Sequence, residues 1–190
     1  MVADLDALIR AAGITGPFIV VGHSLGGILM RMFASSHPAE VVGMVLVDSS
    51  HEDDKLLAER HTPEQLAALD AWSASSPYHD EVIWDGIGDN QLLAVPLPPL
   101  PLVVLSEGRR FTSNNPLDLY PPGYPIAVDD QIWVDLQNEP TQLVPGAVHV
   151  TASLSGHAIQ QDQPDLVVAA VRSVVDAVRA GVSTPWAPPS

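Results

Sequence analysis

The sequence predicts an α/β protein, a mostly parallel sheet flanked by helices, and three observations predict it. Pro17 to Val21 and Val41 to Val47 are short runs without a polar residue, the pattern of strands covered on both faces. Between them, Gly26 to Ser36 carries Ile28, Leu29, Met32 and Phe33 at helical spacing. Strand, helix and strand in so short a span make a right-handed crossover with parallel strands, and such sheets take ligands beyond their strand C-termini.

The remaining elements follow in order. Val2 to Ala12 repeats Leu5, Leu8, Ile9 and Ala12 on one helical face and ends at Gly13, the residue type suited to a helix C-terminus. The helix begun at Gly26 stops at His37-Pro38, because a residue before proline is pushed out of helical geometry. From 48 to 100 the chain turns acidic and alanine-rich, and Thr62-Pro63-Glu64-Gln65 resembles a capping box. Pro96, Pro98, Pro99 and Pro101 lead into a third strand, Leu102 to Leu105, and Arg109 to Val128 is proline-rich and irregular. A weak helix near Asp129 to Asn138, a strand near Ala147 to Thr151 and a strong helix from Pro164 to Ala180 complete the series, the last with Val167, Val171, Val174 and Val178 on one face. The expected organisation is a core of residues 1–50 and 101–182, a helical cap insertion at 51–100 and a flexible tail at 183–190.

Composition narrows the function classes. The chain has 190 residues, 46% of them apolar, enough for one sizeable core. Acidic residues outnumber basic ones 23 to 8 for a net charge of −15, which repels phosphate backbones and argues against nucleic acid as a partner. With no cysteine there is neither a disulfide framework nor a thiolate metal site. No apolar run approaches the roughly 20 residues of a membrane span. Met1 to Arg10 is acidic and amphipathic rather than a signal peptide, so the chain as given reads as cytoplasmic. The run His51-Glu52-Asp53-Asp54 matches no metal-loop spacing and reads as a solvated charge cluster.

The chemistry centres on Gly22-His23-Ser24-Leu25-Gly26, which follows an apolar strand and opens an apolar-periodic helix. A serine in such a Gly-x-Ser-x-Gly turn is held at a sharp bend, with glycines where side chains would meet neighbouring backbone, and Gly27 allows close packing of the helix on the sheet. Val20-Val21-Gly22-His23-Ser24-Leu25-Gly26-Gly27 resembles the α/β-hydrolase superfamily in its esterase and lipase-like branches, and the likeness extends from Val2 to Ala180.

That resemblance implies a serine hydrolase acting on an ester or related acyl bond of a small molecule, through a Ser-His-acid triad and an acyl-enzyme, with no metal or organic cofactor. Ser24 is the expected nucleophile, since a serine hydroxyl needs a base such as imidazole within hydrogen-bond reach. His157, in Ser155-Gly156-His157 before the final helix, stands where the family carries its histidine. His37, His51, His61 and His79 read as capping or water-facing residues and His149 as a packed strand residue. His23 beside the serine reads as a packing or orienting residue. Most of the family places the acid after the strand corresponding to Leu102 to Leu105, where only Glu107 is near; a minority places it one strand earlier, where Asp48 ends Val41 to Val47. Asp48 is the favoured acid and Glu107 the alternative, with Asp129 and Asp130 behind them. The same constellation serves acyl transfer, C–C bond hydrolysis and perhydrolysis.

The resemblance also implies an oxyanion hole made by the backbone N–H of Leu25 and a second N–H from a loop early in the fold. Only 23 residues precede Ser24, where the family has several strands and a helix, so the N-terminal strands of the fold are expected to be missing. The serine-bearing strand would then be a sheet edge, open to self-association. A non-catalytic remnant or binding module of the same fold, without a complete oxyanion hole, is the competing expectation.

Overall fold

Val41–Val47 and Leu102–Glu107 form strands whose residues are buried on both faces of one sheet, while Phe18–His23 and Val148–Ala152 form strands beside them that stay partly exposed. The computed structural model describes residues 1–51, 59–75, 93, 95–109, 121 and 123–189. The strands are β1 (Phe18–His23), β2 (Val41–Val47), β3 (Leu102–Glu107) and β4 (Val148–Ala152), all parallel, in the spatial order β1-β2-β3-β4. The helices are α1 (Val2–Ala11), α2 (Leu25–Ser36), α3 (Pro63–Ala74), α4 (Ile126–Asn138), the single turn α5 (Ile159–Asp162) and α6 (Pro164–Ala180), with a 3₁₀ turn at Glu139–Gln142.

The chain divides into two compact units: residues 1–51, 91–109 and 137–190 form the first, and residues 52–90 and 110–136 the second. In the first, alternation along the strands separates two cores. Val20, Met44, Leu46, Leu102 and Val104 meet Phe33 and Ala34 of α2 on one face. On the other, Val45, Val47, Val103, Leu105, Val150 and Ala152 meet Ile159, Leu166, Ala170 and Val174. The buried stripe of α6 is thus centred on Leu166, Ala170 and Val174, with Val167, Val171 and Val178 flanking it. Its C-terminus closes on Gly181 at φ 67°, the left-handed conformation glycine adopts without penalty.

β1 and β4 are the outer strands among the described residues, and Val21 is 44% exposed on β1. On α1 the periodic set splits: Leu5 and Ile9 pack on the core while Leu8 points to solvent. His37 does cap α2, its Nδ1 3.1 Å from the Phe33 carbonyl, and its Nε2 reaches Asp6 Oδ1 on α1 at 3.1 Å. The segment 183–189, expected as a flexible tail, has no regular structure, yet Ser173 Oγ donates to the Trp186 carbonyl and Pro185 and Pro188 are buried. Proline rings bury apolar area without needing a periodic pattern, which is why composition alone did not show this.

In the second unit the capping box forms as read: the Thr62 N–H donates to Gln65 Oε1 (2.8 Å) and the Gln65 N–H to Thr62 Oγ1 (3.3 Å). Two open donors at the start of α3 are thereby satisfied. Arg60 pairs with Asp135 of α4 at 2.7 Å. His61, expected to cap or to face water, is buried instead, stacked on Tyr124 at a centroid distance of 5.3 Å with Nε2 2.8 Å from Asp129 Oδ1. His51 departs from the same expectation within the first unit, where its buried ring lies 3.2 Å from Glu139 Oε2. Both rings turn inward because a carboxylate offers their polar edge a partner. His79, the acidic residues Glu52, Asp53 and Asp54, and most of the irregular stretch after Arg109 lie outside the described residues.

Candidate active site

β1 hands the chain to α2 through one residue, Ser24, at φ 53° and ψ −128°. A non-glycine residue there is strained by about 1–3 kcal/mol and needs its surroundings to hold it. The surroundings are backbone: the Ser24 N–H donates to the Val47 carbonyl (3.2 Å), and the Ser24 carbonyl accepts the N–H groups of Gly27 (2.9 Å) and Ser50 (3.0 Å). A Cβ at Gly22 would overlap the Gly26 carbonyl and lie 2.6 Å from Gly27 Cα, so the turn closes only over glycine. A Cβ at Gly27 would overlap the Ser49 hydroxyl. Gly26 differs from expectation: a Cβ there meets nothing within 4 Å, so the second steric requirement belongs to Gly27.

Only one other described non-glycine residue has a positive φ, and it is Asp48 at 41°, one step past the end of β2. Its N–H donates to the Leu105 carbonyl at 2.7 Å. The bend turns a fully buried carboxylate toward the segment after β4, where Oδ2 lies 2.6 Å from His157 Nδ1. A carboxylate only accepts, so Nδ1 carries a proton, and in the neutral ring Nε2 keeps its lone pair. The second oxygen, Oδ1, accepts the backbone N–H of Glu107 at 2.9 Å.

Of the residues singled out from sequence, Asp48 and His157 are thus in direct contact, and Ser24 is joined to them through the backbone of the β2 end. Glu107, the alternative acid, is buried at the end of β3 and serves this pair with its amide. Asp129 belongs to the His61 pair of the second unit. Leu25 is the first residue of α2, where a helix N–H has no intrahelical acceptor and the dipole is positive.

The His157 segment is held from both sides. Arg109 N–H donates to the Ser155 carbonyl (2.8 Å) and Gly156 N–H to Asp162 Oδ2 (3.1 Å). His23 Nε2 lies 2.8 Å from the His157 carbonyl, and the two rings are 4.6 Å apart at 44°. Burial, the largest influence, holds His23 below the usual histidine range. His149 is packed as expected, its Nε2 2.8 Å from Ser106 Oγ, and burial lowers its pKa too. Sequence reading missed the Glu107 amide and the His23 tether, and neither carries a local signal, since each joins residues far apart in the chain. Among the described residues no group of three or more His, Asp or Glu could hold a metal ion, and no helix is long and apolar enough to cross a membrane.

The sequence family described as the alpha/beta hydrolase fold matches residues 1–170. The chain belongs to that family. An AB hydrolase superfamily protein of Gibberella zeae is 25% identical over 229 residues, covering 94% of this chain and 71% of that protein. An uncharacterised protein of Bacillus subtilis is 24% identical over 173 residues, covering 91% of this α/β hydrolase and 62% of the relative, so the chain spans less than two thirds of its length. Among solved structures, a probable hydrolytic enzyme from Pseudomonas aeruginosa PAO1 superposes with a TM-score of 0.57 at 16% identity, covering 90% of this chain and 67% of that one. An esterase from Rhodococcus sp. ECU1013 superposes with a TM-score of 0.52 at 15% identity, covering 93% and 71%. At these identities the likeness is one of fold.

Proposed function

We propose that this α/β hydrolase is a serine hydrolase of ester or related acyl bonds, with Ser24 as nucleophile, His157 as general base and acid, and Asp48 as the carboxylate that orients it. The observation that carries the reading is the Asp48–His157 pair at 2.6 Å, built at the same end of the sheet as the strained Ser24 turn. In the proposed reaction His157 Nε2 takes the Ser24 proton as Oγ bonds to the acyl carbon. The Leu25 N–H, at the positive end of α2, faces the oxyanion that develops. Collapse of that intermediate breaks the bond to the leaving alcohol, which receives the proton from His157. Water, deprotonated by the same ring, then releases the acid and frees Ser24. Asp48 stabilises the imidazolium in both halves, and the reaction calls for no metal or organic cofactor. Esterases among the structural neighbours agree with this substrate class.

A fluorophosphonate probe tests the reading: it should label the wild-type protein at Ser24 and leave Ser24→Ala unlabelled. Folded wild-type protein that resists the probe would instead support a binding module of the same fold. An ester panel with acyl chains of increasing length then identifies the substrate.

A further inference from the structure

Side chains along a strand alternate between its faces, which sets His23 on the face of β1 that carries Ile19. Ile19 packs in the core shared by Ile159 and α6, and the segment bearing His157 runs into Ile159. The end of β1 and the His157 segment therefore meet side on. At that meeting His23 Nε2 is 2.8 Å from the His157 carbonyl oxygen. A carbonyl oxygen only accepts, so Nε2 carries the proton and the bond is N–H to O=C. Neighbouring backbone ties of this segment act at Leu154, Ser155, Gly156 and Ala158, and the His23 bond acts on the carbonyl of His157 itself.

We infer that His23 is a positioning residue for the reaction proposed above: its Nε2–H holds the His157 carbonyl and so keeps the His157 imidazole seated on Asp48. The inference rests on the serine-hydrolase reading for its chemistry, while the tether itself is a property of the folded chain. A neutral His23 suits the role. Two titratable groups face it, His157 and Asp48, and a charged His23 ring 4.6 Å from His157 would oppose the imidazolium that forms when Ser24 loses its proton. Burial acts in the required direction by favouring the neutral ring.

The test compares His23→Phe, which keeps a ring and loses the donor, with His23→Gln, which keeps an N–H at similar reach. His23→Met, of the length of Gln and without a donor, stands in if Phe is not accommodated. Melting curves establish that each variant is folded. Two quantities are then read: the rate of fluorophosphonate labelling at Ser24 across pH, and the ¹⁵N side-chain signals of His157, which report whether Nδ1 or Nε2 carries the proton. The donor-less variants should label about 10- to 100-fold more slowly, the scale of a small misplacement of a reacting group, and should show His157 exchanging between tautomers. His23→Gln should restore both. If donor-less variants label at the wild-type rate with the His157 tautomer unchanged, the inference is wrong. If wild-type protein is not labelled but the tautomer shifts in those variants and recovers in His23→Gln, the tether stands and the hydrolase reading falls.

Discussion

One histidine–aspartate pair in each unit invites comparison, His157–Asp48 in the first and His61–Asp129 in the second, and the two meet their carboxylates through opposite ring nitrogens, Nδ1 in His157 and Nε2 in His61. In the first unit His157 is 34% exposed and its partner Asp48 fully buried, the pair 2.6 Å apart. In the second the His61 side chain is fully buried against Tyr124, and Asp129 lies 2.8 Å away. Asp48 sits on a strained backbone and spends its second oxygen on the Glu107 amide, so its direction is fixed by the sheet. Asp129 sits on an ordinary helical turn, where its Oδ1 is also 3.3 Å from the Tyr124 hydroxyl. An imidazole that exchanges protons with a substrate needs exposure and a nitrogen other than the one on its carboxylate; of these two, His157 is partly exposed and meets Asp48 through Nδ1, whereas His61 is buried and meets Asp129 through Nε2. A histidine–carboxylate contact is therefore not by itself a sign of catalysis.

Exchanging one carboxylate at a time sharpens the contrast. Asp48→Asn should lower turnover by about 10⁴-fold while the protein stays folded, because the amide no longer holds the reactive tautomer. Kinetics on the best substrate of the ester panel, beside a melting curve, check both halves. Glu107→Gln should cost far less activity, since its contribution to Asp48 is a backbone N–H that the substitution leaves in place. A large loss in Glu107→Gln with a small one in Asp48→Asn would move the acid to β3.

The sequence made one of these pairs legible and hid the other. Asp48 could be read because it terminates an unbroken apolar run, and His157 because it precedes a strongly periodic helix; both follow from the order of elements along a parallel sheet. The parallel strands themselves were legible in Val41 to Val47 and Leu102 to Leu105, where burial on both faces leaves no polar residue. Between Asp48 and Glu107 the family resemblance favoured Asp48, but the contact of Asp48 with His157 depends on a backbone bend at φ 41° that no residue type announces. His61 was misread for the same kind of reason. Its burial depends on Asp129 and Tyr124, which are distant in the chain and share no pattern with it.

Asp129→Asn supplies the complementary result. Asp129 faces a fully buried ring, and a buried polar group left without its partner typically costs about 1–3 kcal/mol, so urea denaturation should show a loss on that scale. Labelling of Ser24 in the protein that remains folded should persist. A variant as stable as wild type would mean that the His61 contact is not a stabilising pair.

Acid should act on the first unit through His149, whose pKa burial holds below its ordinary 6.5. The unfolded chain then binds a proton at higher pH than the folded chain does. Stability is therefore fully present above about pH 6.5 and is lost as pH falls toward the folded value. In His149→Gln the fall in melting temperature between about pH 7 and about pH 5 should be shallower than in wild type. An unchanged slope would place the acid sensitivity elsewhere, with His23, shifted in the same direction, the next group to replace.

The smallest effect on stability is expected at the outer strand β1. Val21 is exposed on β1, so Val21→Lys removes little buried area and should change stability by no more than about 0.5 kcal/mol. Among the described residues β1 has one strand neighbour, β2, and if such an edge pairs with another copy, a lysine on it opposes that pairing. Light scattering over a concentration series should therefore show less self-association in Val21→Lys than in wild type, with fluorophosphonate labelling unchanged. Equal association in both proteins would remove β1 as the surface responsible. A fall in labelling without a change in association would instead mean that Val21 supports the Ser24 turn, which follows three residues later on the same strand path.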